Sequence, residues 1–201
     1  MGWKIFGIAI PTDSKEYDLD EIANFISENR VTNASVNYDR NIHNTTIERH
    51  DVGIIILNSK LCHLLFNEQI SLFEEKLFAF FDNPECILGI INTDEDYKGY
   101  TYISKTRKRF RVNSEQYPLD MKDYGVPISE ELKWLNASKL TIIDEDLSYE
   151  ASYFEDNKEV YYSCWEEIEQ IQITLMQNKF GRYWEDTDGL LEMKNYALNL
   201  E

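Results

Sequence analysis

The sequence predicts an α+β fold: a mixed sheet with helices packed on it, forming a single compact domain over residues 1–201. Three observations predict it. Short aliphatic runs lie at 5–10, 52–57 and 86–91, the pattern of buried strands. Stretches of helical period, most of them opening on a capping residue, lie between and after these runs. The length of 201 residues suits one domain, at most two, and suffices to bury a core without disulfides or metals.

The first strand spans 3–10 and is closed by Pro11. Asp18 then caps a helix, with Glu21 at capping-box spacing and Leu19, Ile22, Ala23 and Ile26 on one face. Residues 35–38 alternate as a short strand, and 52–57 form a central one. Asn58 or Ser59 caps a short helix to Phe66. Ser71 and Glu74 box the start of another, which buries Leu72, Phe73, Leu77, Phe80 and Phe81 until Pro84 stops it. Residues 86–91 return as a strand, so 52–91 reads as one strand–helix–strand crossover.

Strands at 100–103 and 107–112 flank a Ser-Lys-Thr link and form a hairpin. Residues 117–127, with Pro118, Gly125 and Pro127, read as loop. Ser129 caps a short helix carrying Leu132, Trp134 and Leu135. Ser163 and Glu166 box a longer helix with Trp165, Ile168, Ile171, Leu175 and Met176 on its apolar side, stopped by Gly181. Alternation of Ile171, Ile173 and Leu175 offers a competing strand there. A last short helix is expected over 189–198. No internal repeat, flexible linker or low-complexity tract interrupts the chain.

Charge narrows the function classes. There are 37 acidic against 20 basic side chains, a net charge of −17. Such a chain is a poor nucleic-acid binder, because phosphate affinity needs a basic face. At 43% hydrophobic and 13% aromatic it is nevertheless no disordered acidic tail. Cys62, Cys86 and Cys164 are odd in number and never paired as CxxC, which points to a reducing, cytoplasmic setting. The apolar run 5–10 is too short for a secretory core or a membrane span, and Phe6 breaks the myristoylation pattern. Abundant Ile and Asn with little Ala suggest an AT-rich, bacterial genome.

The excess charge is unevenly placed. Residues 1–112 hold 13 basic and 17 acidic side chains, a net of −4. Residues 113–201 hold 7 and 20, a net of −13, so any subdivision would fall near 112–128. Within 144–155, Asp144, Asp146, Ser148, Glu150, Ser152 and Glu155 take the oxygen positions of a calcium loop. Tyr149 stands where such a loop requires glycine, and Ala151 where it favours a branched apolar residue, so no metal is expected. His43, His50 and His63 fit no zinc spacing, and neither phosphate-binding glycine loops nor a nucleophile elbow occurs. No cofactor is expected. Paired acids such as Glu130–Glu131 and Glu166–Glu167 are read as helix starts.

Two surfaces remain as candidates. Arg107, Arg109 and Arg111 share one face if their strand is regular, and form a candidate anion-binding row. The competing reading pairs them with the protein's own acids, or makes them guards of an edge strand. Tyr149, Tyr153, Glu155, Asp156, Tyr183, Trp184, Glu185 and Asp186 combine aromatic anchors with steering acids, and form a candidate partner-binding surface. The expected function is therefore a non-enzymatic protein recognising a basic protein partner, of which a toxin-neutralising immunity protein is one concrete form. The alternative is a small-ligand binder or enzyme using the basic strand 105–111 as an anion site. A third reading is a homo-oligomer joined through the exposed hairpin edge.

Overall fold

The computed structural model describes residues 4–12, 17–29, 43–58, 71–93, 97–113, 122–132, 139–143, 148–155, 158–184 and 188–198. In chain order the elements are β1 (Lys4–Pro11), α1 (Leu19–Glu28), β2 (His43–His50), β3 (Gly53–Leu57), α2 (Ser71–Phe80), β4 (Cys86–Thr93), β5 (Lys98–Ser104), β6 (Arg107–Asn113), β7 (Lys122–Tyr124), β8 (Lys139–Ile143), β9 (Ser148–Glu155), β10 (Lys158–Ser163), α3 (Cys164–Phe180) and β11 (Leu190–Leu198). A helical turn also covers 129–132.

Eight strands form one open sheet in the order β11-β2-β3-β1-β4-β5-β6-β7. Every neighbouring pair is antiparallel, so the expected mixed sheet is corrected to an antiparallel one. The mixed appearance in the sequence came from the crossover around 52–91, which is real but split. β3 and β4 both run antiparallel to β1, so they are parallel to one another with β1 between them. By the same logic β1 and β2 are parallel across β3. The run β1-α1-β2-β3-α2-β4 thus follows the split β-α-β, or ferredoxin-like, plan. β10-β9-β8 make a separate three-stranded antiparallel sheet.

The pleat sends alternate side chains to opposite faces and builds two cores. On one face Ile8, Ile10, Ile47, Ile54, Ile56, Ile87, Ile91, Ile103 and Phe110 pack with Leu19, Ile22, Ala23 and Ile26 of α1 and with Phe73, Leu77 and Phe78 of α2. Asp18 caps α1 as expected, its Oδ1 accepting from the Asp20 amide at 2.8 Å. On the other face Ala9, Ile55, Leu88, Ile90 and Tyr100 meet α3 through Ile168, Ile171, Leu175, Met176 and Phe180. Burying those five α3 side chains stabilises by about 1.5–3 kcal/mol each. That gain explains why 168–175 is helix: a strand would bury only alternate residues.

Other expectations need correction. The short helix expected over 189–198 is strand β11, paired with β2 from Leu190 to Leu198 with an irregularity between Leu190 and Glu192. The loop 117–127 contains β7, which covers part of the hairpin edge by pairing Phe110, Arg111 and Val112 with Tyr124, Asp123 and Lys122. β2, β8, β9 and β10 were not anticipated as strands. The expectations for 35–38, 59–66 and Trp134–Leu135 lie outside the described residues. No helix among the described residues is long and apolar enough to cross a membrane.

Candidate functional site

β6 presents its odd-numbered residues to the α3 face, while Phe110 enters the opposite core. Arg109 and Arg111 therefore lie in the layer between sheet and helix. Arg109 is 1% exposed. Its Nε donates to Glu131 Oε1 at 2.7 Å and its Nη2 to Glu131 Oε2 at 3.0 Å. Its Nη1 donates to Asp123 and to the carbonyls of Tyr124 and Gly125, the latter two at 3.0 and 3.2 Å. Arg111 reaches Glu167 of α3 at 3.0 Å and Asp123 at 3.4 Å. The Tyr100 hydroxyl, opposite Arg111 in the ladder, donates to Glu131.

The electrostatics follow from this geometry. Burial opposes the Arg109 charge, but the hydrogen bonds to Glu131 and Asp123 outweigh it and raise its pKa. Burial likewise opposes the Arg111 charge, and Tyr100, Glu167 and Asp123 outweigh it. Burial first, and then Glu131, lift the Tyr100 hydroxyl well above the ordinary tyrosine range, so it remains a donor. An anion brought to Arg109 or Arg111 must displace Glu131, Glu167 or Asp123. Arg107, the third member of the expected anion row, is exposed at the turn end of β6 and does not join the network.

Reading the sequence overlooked Glu131 and Glu167. Both were assigned to helix starts, yet Glu131 is 0% and Glu167 4% exposed. The available signal was the match between three arginines of one parity and acids at the beginning of two amphipathic helices. Beside this network Lys98 pairs with Glu169, and Gln172 donates to the carbonyls of Ile91 and Gly99 at 3.0 and 2.7 Å. The first half of α3 is thus fastened to the sheet by polar contacts as well as by Ile168 and Ile171, and the second half mainly by apolar ones.

The expected partner surface divides. Tyr149, Tyr153 and Glu155 occupy alternate positions of β9, in register with Ile142, Val160 and Lys158. Tyr183 and Trp184 are half-buried and pack on the α3-side core. Trp184 lies so close to β1 that a Cβ placed on Gly7 would fall 2.4 Å from its ring. These two aromatics anchor the chain leaving α3. Asp156, Glu185 and Asp186 lie outside the described residues. Residues 148–155, the described part of the calcium-loop spacing, form strand β9 between β8 and β10, whereas such a loop must curl around its ion. Among the described residues no cluster of His, Cys, Asp and Glu is arranged to hold a metal.

A surface hollow of about 340 Å³ lies at the β4–β5–β6 end, lined by Asn83, Pro84, Glu85, Tyr102, Ser104, Lys105 and Thr106. Cys86 adjoins it in sequence but is 1% exposed, and burial, reinforced by Glu85, pushes its thiol up to about 12. The native chain is therefore expected to leave Cys86 unalkylated at pH 8, with labelling appearing only on unfolding, as read by peptide mass mapping. The sign for stability follows: the native state keeps a proton that the unfolded chain releases. Stability from this group is present below pH 9 and is lost as pH rises toward 12. Rapid labelling of folded protein would contradict the burial.

No family model matches the chain, and neither the curated proteins nor the solved structures searched contain a match.

Proposed function

We propose that this is a non-enzymatic binding protein whose acidic surface receives a basic protein partner, as a toxin-neutralising immunity protein would. One observation supports this reading most. Many of the chain's cations are committed inside the molecule. Lys98, Lys108, Arg109 and Arg111, four of the six cations of the hairpin, all hold carboxylates of the same chain, while Lys105 and Arg107 at its turn are exposed. Arg49, Lys179, Arg182 and Lys194 do so elsewhere. Three of the four cations of β6 are thus neutralised from within the chain, so this strand offsets little of the net charge of −17 at the surface. A field of that sign concentrates a basic protein at the surface and repels nucleic acid.

β9 supplies the contact residues in this proposal, with Tyr149 and Tyr153 as anchors and Glu155 as a steering acid. The test begins with capture from a lysate of the source organism at low ionic strength. The captured protein is then purified and its affinity measured against wild type and Tyr149→Ala/Tyr153→Ala. The expected result is a partner of basic pI whose affinity falls about tenfold or more in the double variant. A neutral or acidic partner, or an affinity unchanged by the double variant, would contradict the reading.

A further inference from the structure

β11 lies at one edge of the large sheet, with β2 on its inner side and no further strand beyond it among the described residues. It is nine residues long and contains neither proline nor glycine. Leu191 and Met193 are 64% and 53% exposed. A long apolar edge invites another strand, and natural sheets normally guard against that with prolines, bulges or free lysines. The irregularity in β11 falls at its start, between Leu190 and Glu192, and leaves Glu192–Leu198 in regular register with β2. Lys194, the one lysine here, is not a free guard. It is held to Asp20 of α1 at 3.2 Å and lies 3.7 Å from Glu192.

We propose that this edge joins two copies of the chain, β11 pairing antiparallel with β11 of the second copy about a two-fold axis at Met193. Three physical points select this occupant and this register. First, β11 carries one acid and one base, Glu192 and Lys194, and so has no net charge. A basic partner gains little there, whereas two chains of −17 can approach along this line without opposing their excess. Second, an antiparallel pair related by a two-fold axis keeps the faces of the sheet, so the axis must pass through a residue position. Centring on Glu192 or Lys194 sets like charges opposite each other. Centring on Met193 sets Glu192 of each copy opposite Lys194 of the other. Third, the same register puts Met193, 53% exposed, directly against Met193 of the second copy, so that the exposed thioethers cover one another. With Glu192 and Lys194 already neighbours within each chain, four alternating charges then line the axis.

Sedimentation velocity on the full chain tests this. Wild type is expected to show a concentration-dependent dimer. Glu192→Lys alone, and Lys194→Glu alone, each create like-charge contacts across the axis and are expected to weaken the dimer about tenfold. An equimolar mixture of the two variants restores both opposite-charge contacts and is expected to recover the dimer. That recovery also requires both variants to be folded, so misfolding cannot imitate it. A wild type that stays monomeric at its highest soluble concentration, single variants that dimerise like wild type, or a mixture that stays monomeric would each overturn the proposal.

Discussion

Replacing Glu131 with alanine is expected to remove about 3–5 kcal/mol of folding stability, the usual cost of stripping one partner from a buried ion pair. Glu131 is 0% exposed and accepts from both Nε and Nη2 of Arg109 and from the Tyr100 hydroxyl. Without it, a guanidinium with 1% exposure keeps only Asp123 and two carbonyls. Typical domains have about 5–15 kcal/mol in total, so the loss is a large fraction. Urea unfolding should show a midpoint lower by about 1 M or more. Glu131→Gln, which retains an acceptor for Tyr100, should lose less. A change of under about 0.5 kcal/mol in the alanine variant would mean that the network is solvated rather than buried.

Gly53→Ala is expected to be the next most damaging single change. Gly53 opens β3 after the two-residue turn from His50, at a φ of +152° that side chains rarely adopt. A Cβ there would lie 2.2 Å from the Ile10 carbonyl oxygen and 2.9 Å from the Phe180 ring. The carbonyl belongs to β1 and cannot swing away without disturbing the β1–β3 ladder, where Gly53 opposes Pro11. Backbone strain contributes about 1–3 kcal/mol. Overpacking contributes about 1–3 kcal/mol more. Both act on the central strands that organise the two cores. Thermal unfolding should show a midpoint lower by several degrees, and an unchanged midpoint would contradict the contact.

These two residues mark where the fold was legible in the sequence and where it was not. β3 was legible because four consecutive aliphatic residues leave little alternative to a central strand. α1 was legible because its cap and its period agree, and the structure uses both. The 100–112 hairpin was legible from alternation on either side of a short turn. β2 was not: its sequence HNTTIERH has a single aliphatic residue, Ile47, and its strand form depends on β3 and β11 alongside. β11 was misread because Leu190, Leu191, Met193, Ala197 and Leu198 satisfy both helical and extended periods; pairing with β2 decides between them.

The network shows the same limit. Parity alone placed Arg109 and Arg111 on one side of β6. Nothing local could show that Glu131 and Glu167, which lie 22 and 56 positions away from them, close on that side. The partial burial of Tyr183 and Trp184 is likewise a tertiary fact, and for Trp184 it is set by the seat that Gly7 leaves on β1.

The most direct test of an acidic recognition surface is the association rate with the captured partner as ionic strength rises. Steering by a net charge of −17 predicts a rate that falls about tenfold or more between low and physiological salt, with dissociation changing much less. An association rate independent of salt would contradict the account.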